Sequence, residues 1–164
     1  MIRALLSLML LAIVLPAAAI DTALVKVGEA KLKVLFWDVY NSTLYSDNGR
    51  YREGQVPLRL DIQYLLDIES DALVERTAEE WDALGLKHDN RDEWLVSLSA
   101  LWPDVNKNDV LTMELDSNKR STFYRNGELL GTIEDTAFGT SFIDIWLSPN
   151  TTRPNLRAAL IGSD

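Results

Sequence analysis

The chain has 164 residues, no cysteine and a formal net charge of −9, which excludes disulfides, thiolate catalysis and thiolate metal sites. An acidic chain with no basic block also argues against nucleic acid as a partner and against an anionic membrane surface, because neutralising phosphates needs a cationic face. A chain of this length buries one sizeable core.

Taken in chain order, the first segment reads as a secretory signal peptide. Arg3 gives a positive start, Leu5 to Leu15 an apolar stretch, and Pro16-Ala17-Ala18-Ala19 a small-residue cleavage site before Ile20. That apolar stretch is shorter than the roughly 20 residues a spanning helix needs. With no cysteine after it, a lipid anchor is excluded. The expectation is a signal peptide over residues 1–19 and one domain over residues 20–164, giving a soluble periplasmic or secreted protein with no stable membrane insertion after cleavage.

Residues 28–45, GEAKLKVLFWDVYNSTLY, read as one opening strand. Ala30, Leu32, Val34 and Phe36 alternate with Lys31 and Lys33, and from Leu35 onward Trp37 and Val39 make the second face apolar too. The strand is thus expected to enter a place covered on both sides. The polar segment from Ser46 to Pro57 reads as a connection. LRLDIQYLLDI then alternates, with Leu58, Leu60, Ile62, Tyr64, Leu66 and Ile68 on one face.

Ser70 is placed to cap a helix with Leu73, Thr77, Trp81 and Leu84 at helical spacing, stopped by Gly85. Asn90 with Glu93 reads as a capping box for a second helix carrying Trp94, Leu95, Leu98, Leu101 and Trp102, ended by Pro103. Three short strands follow as a meander, with a turn over Asp116 to Lys119 and a hairpin at Asn126-Gly127. Asp135 caps a third helix bearing Phe138, Phe142, Ile145 and Trp146, and Pro154 begins a last short one. Strands and helices segregated in this way define an α+β domain.

Few residues carry recognisable chemistry. His88, the only histidine, lies in the polar loop Lys87-His88-Asp89-Asn90 and reads as a surface residue. One histidine among scattered acids offers no zinc spacing, and no phosphate loop, nucleophile elbow or dinucleotide fingerprint is present. Neither a cofactor nor a metal is expected. Asp89, Asp92 and Glu93 suit the positive end of a helix macrodipole. Among the five tryptophans, Trp81, Trp94 and Trp102 sit at core spacing.

The order of these elements, with several local strings, resembles the chalcone isomerase fold, and in particular the bacterial chalcone isomerase-like group. The strings are Lys31-Leu32-Lys33 through Val39-Tyr40, Glu75 through Trp81-Asp82-Ala83-Leu84-Gly85, Phe123-Tyr124-Arg125-Asn126-Gly127, Gly131 with Ile133, and Phe142-Ile143-Asp144-Ile145-Trp146-Leu147. The resemblance implies an open-faced β-sandwich, an antiparallel sheet with helices packed on one face and a cleft between. It also implies where the enzymes of the family keep their catalytic groups, and this chain lacks them. No arginine lies between Arg3 and Arg50, where the family attracts its phenolate; the matching place is near Ala23. The strand threonine falls at Leu35, the tyrosine at about Glu69, the asparagine at Arg76 and the late serine or threonine at about Gly139.

The resemblance therefore implies the fold and argues against ring closure of a chalcone. Leu35, Trp37, Tyr64, Glu69, Arg76 and Phe138 are the candidate cleft residues. Glu69 and Arg76 read either as a surface ion pair or as cleft groups. In the latter case Arg76 is the cation for an acidic ligand, as an arginine is in fatty-acid-binding relatives of the fold. The expected function is an exported, non-catalytic binder of an apolar or amphipathic, fatty-acid-like small molecule. The alternatives are a cofactor-independent isomerase or lyase, with Tyr40, Tyr64 or Glu69 as acid–base groups, and a structural or partner-binding protein whose cleft is filled.

Overall fold

The computed structural model describes residues 23–163; the signal-peptide reading over residues 1–19 lies outside them. Six strands form one antiparallel sheet in sequence order: β1 (Val25–Val34), β2 (Trp37–Ser46), β3 (Leu58–Tyr64), β4 (Val110–Leu115), β5 (Ser121–Arg125) and β6 (Glu128–Ile133). Four helices accompany them: α1 (Ser70–Ala83), α2 (Arg91–Leu101), α3 (Thr136–Leu147) and α4 (Pro154–Ile161). Among the described residues no helix is long and apolar enough to cross a membrane.

Strict alternation builds the sheet. Leu58, Leu60, Ile62 and Tyr64 of β3 are buried, as are Leu111, Met113 and Leu115 of β4 and Phe123 of β5. Their neighbours on the other face are polar and joined laterally, Asn41 to Gln63 and Arg59 with Thr112 to Asp61. One face is thus packed by helices and the other is wet, the pattern of an antiparallel sheet covered on one side. An aromatic core fills the interface: Phe142 lies 5.5 Å from Phe123 and 5.7 Å from Trp102, with Phe138 stacked on it. Trp81, Trp94 and Trp102 all belong to this core, as their spacing predicts.

The opening strand departs from its expected course. Residues 28–45 are not one strand but most of the β1–β2 hairpin, with Val34 paired to Trp37 and Leu35-Phe36 forming the two-residue loop. Leu35 adopts φ 54° in the loop's first position, where hairpins of this kind usually place glycine, asparagine or aspartate. With none of those residues present the turn carries no sequence signal. Likewise β3 stops at Tyr64, and Ile68 forms only an isolated bridge with Val105.

Helix starts also differ in detail. Glu69, not Ser70, occupies the N-cap of α1 without a side-chain bond, and the Ser70 hydroxyl donates to the Trp102 carbonyl oxygen. At α2 the Asn90–Glu93 capping box does not form: Asn90 holds the N-cap at φ −87°, ψ 5°, outside the extended conformation a capping side chain needs, and its amide donates instead to Asp135. Asp135 caps α3 as expected, accepting from the Ala137 backbone N–H at 2.9 Å and also from the Trp94 indole N–H.

Candidate functional site

Register places Leu32 opposite Tyr40 and Tyr40 opposite Tyr64, a row across β1, β2 and β3. A register shift beside Leu32 leaves Val39 without its own partner. Consecutive residues Val39 and Tyr40 therefore both face inward, which unbroken alternation forbids and a bulge allows. Together with Val34 and Ile62 these residues floor a cavity of about 370 Å³. Its roof is Leu73 and Thr77 of α1, Phe142, Ile145 and Trp146 of α3, and Leu156 of α4.

The polar groups of this cavity are few. The Trp146 indole N–H donates to the Tyr40 hydroxyl at 2.9 Å, so the Tyr40 proton remains available to another acceptor. Burial pushes the Tyr40 phenol up to about 12 and raises that of Tyr64 as well, because a phenolate in an apolar wall is poorly solvated. Both rings, edge to face at 6.1 Å, are neutral donors at ordinary pH.

At the edge stand Arg76, Glu80, Thr152 and Arg153. Glu80, buried at 7% exposure, accepts from the Arg76 guanidinium and from the Thr152 hydroxyl at 2.8 Å. It is the one carboxylate in the lining, and both of its oxygens are engaged. Arg153 bonds only through its backbone, to Thr151 and Arg157. Arg153 is half-buried as a residue, and its guanidinium has no partner among the described residues.

Of the six residues expected to line the cleft, Tyr64 and Arg76 do so. Leu35 and Trp37 do not: the hairpin carries them to its tip, where they are 87% and 67% exposed. Phe138 is fully buried, but among Trp81, Trp94, Phe123 and Phe142 rather than against the cavity. Glu69 is exposed at the start of α1 and lies outside the lining.

Glu69 and Arg76 form no ion pair. Arg76 turns instead to Glu79 at 2.8 Å and to Glu80, three and four residues on and therefore nearer on the helix surface. Among the described lining residues, therefore, Arg76 is ion-paired and Arg153 is not. Gly139, matched to a catalytic position of the family enzymes, packs against Leu115 and Ser121 in the core.

Trp146, Thr152 and Arg153 escape the sequence reading as site residues, and Tyr40 enters it only as an acid–base candidate of the alternative enzyme. Tyr40 shares its strand face with Leu32 by alternation once the hairpin is known, but nothing local marks Arg153. His88 stays exposed, stacked on Trp94 at 4.4 Å, away from the cavity. Among the described residues no group of three or more His, Cys, Asp or Glu is placed to hold a metal ion.

Chemically, the arrangement can hold an apolar chain against Leu32, Ile62 and Ile145 while offering two phenol donors inside and one unpaired guanidinium at the edge. Among the described residues, its lining holds no histidine, and its one carboxylate, Glu80, is already engaged. Comparison with known proteins agrees with the architecture. A family model described as chalcone isomerase-like matches residues 19–162. An uncharacterized protein of Haemophilus influenzae is 32% identical over 136 residues, covering 83% of this chain and 67% of that one. The crystal structure of a fatty-acid binding protein from Arabidopsis thaliana superposes with a TM-score of 0.65 at 17% identity, covering 90% of each chain.

Proposed function

Since this chain belongs to the chalcone isomerase-like family, we propose that it is a non-catalytic member that is exported and binds a fatty-acid-like amphipathic molecule in the cavity between sheet and helices. The observation that carries this reading is an apolar cavity of about 370 Å³ whose edge presents Arg153 without a partner. Small-molecule sites typically span roughly 300–1,000 Å³ with apolar walls and a few fixed polar groups. A carboxylate pairs with Arg153, the acyl chain lies along Leu32, Ile62, Ile145 and Leu156, and Tyr40 or Tyr64 donates to any oxygen deeper in the ligand. The binding function of the Arabidopsis neighbour favours the same ligand class. An open cavity in place of a filled cleft speaks against a purely structural role, and the engaged state of Glu80 against acid–base catalysis.

Titration with straight-chain fatty acids tests the proposal. Trp102 and Trp146 line the cavity, so saturable binding alters tryptophan emission. At a ligand concentration of 100 Kd it stabilises the fold by about 2.7 kcal/mol. No change in emission together with no thermal shift, across short to long chains, rules the reading out.

A further inference from the structure

The β1–β2 hairpin ends in four consecutive large apolar residues that the fold leaves in water: Val34 at 41%, Leu35 at 87%, Phe36 at 98% and Trp37 at 67% exposure. Scattered exposed apolar residues need no explanation, but a contiguous cluster at a projecting tip does. Packing does not account for it, since none of the four belongs to the core or packs against it. Nor does the turn, which would form with less strain if glycine replaced Leu35 at φ 54°.

Two neighbouring features indicate what covers the tip. Behind it, Lys31 and Lys33 reach Asp38 at 2.9 and 3.2 Å. The neck of the hairpin therefore carries two ammonium groups against one carboxylate, locally cationic on an acidic protein. Apolar side chains ahead, an indole beside them and lysines set back is the sequence of depths at a bilayer surface: acyl region, headgroup boundary, phosphate. The second feature is continuity with the cavity, because Val34 and Val39, next to the tip on both strands, line it.

We infer that the Leu35-Phe36-Trp37 tip inserts reversibly into the interfacial layer of a phospholipid bilayer and holds the cavity against the membrane surface. The contact is driven by apolar burial. The lysines meet lipid phosphates, while the overall charge of −9 opposes strongly anionic surfaces, so zwitterionic phosphatidylcholine is preferred over phosphatidylglycerol. The inference goes beyond ligand binding and does not require that the cavity be occupied.

Co-sedimentation of the purified protein with phosphatidylcholine vesicles, without added fatty acid, tests it. Burying a large apolar side chain is worth roughly tenfold or more in partitioning. The paired change Leu35→Ser with Phe36→Ser is therefore expected to lower vesicle binding at least about 100-fold by the same measure. Both side chains are exposed, so the melting temperature and the fatty-acid titration in vesicle-free solution stay as they were. Brominated acyl chains are expected to quench part of the tryptophan emission of the parent protein, and Trp37→Phe to abolish that part. Equal vesicle binding by the parent and the paired variant overturns the inference, since both share every other apolar segment. It is equally overturned if the parent does not bind vesicles and the paired change only dissociates a dimer, which would make the tip a contact between copies of the chain.

Discussion

Arg153 and Arg76 stand on the same edge of the cavity, yet their neighbours give them different roles. Arg76 lies three and four residues before Glu79 and Glu80 on the helix surface and is neutralised by them, whereas the Arg153 guanidinium has no such partner among the described residues. A charged hydrogen bond lost from a desolvated site costs about 1–3 kcal/mol. Arg153→Ala is therefore expected to weaken a fatty acid by roughly 5- to 150-fold while leaving its methyl ester unaffected. Competition titrations of acid and ester against both proteins check this, and an unchanged preference for the acid removes Arg153 from the site. The family resemblance brought Arg76 to notice, because it matches the position of a catalytic asparagine in the family enzymes. Arg153 sits in the irregular stretch before Pro154, and its place at the cavity follows only from how that stretch crosses β1.

At the scale of elements, α4 is what brings Arg153 there, and its seat is narrow. It packs along β1 so closely that a Cβ at Gly28 would collide with the backbone oxygens of Ala159 and Leu160. Backbone cannot move aside as a flexible side chain can, so Gly28→Ala overpacks this contact at a cost of about 1–3 kcal/mol. Urea unfolding should show the loss as a lower midpoint with the same slope, and fatty-acid affinity should fall with it because α4 and Arg153 shift together. Full stability in the variant would mean that β1 and α4 do not meet so tightly. The remaining elements illustrate what periodicity reports. β3, β4 and the Asn126-Gly127 hairpin follow from alternation and turn residues, and all four helices begin within a residue or so of their expected starts. The β1–β2 turn did not, because Leu35-Phe36 continues the apolar run on both sides and hides a reversal of direction inside what reads as one strand.

For the whole molecule, one aromatic core joins the sheet to its helices, and with no cysteine in the chain no disulfide supports it. Such a domain folds without help from an oxidising compartment and tolerates one, which is consistent with the proposed export. Processing is checked by intact mass: the mature protein is expected to begin at Ile20 and thus to have lost Arg3, the one charged residue of the segment. A mature chain retaining Met1, or beginning well beyond Ile20, overturns the export proposal. By itself the sequence determined the α+β class, the family, the inward face of β3 and the burial of Trp81, Trp94 and Trp102. These are set by local periodicity and by the order of elements, both of which are written along the chain. Tertiary structure alone decided that Leu35 and Trp37 leave the cavity for a solvent-facing tip, that Phe138 turns into the core, and that Tyr40 meets Trp146 across 106 residues. It also decided that, among the described residues at the cavity edge, Arg153 rather than Arg76 has an unpaired guanidinium. Each of these depends on which distant groups compete for the same space or the same hydrogen bond, a competition settled only when sheet and helices close on one another.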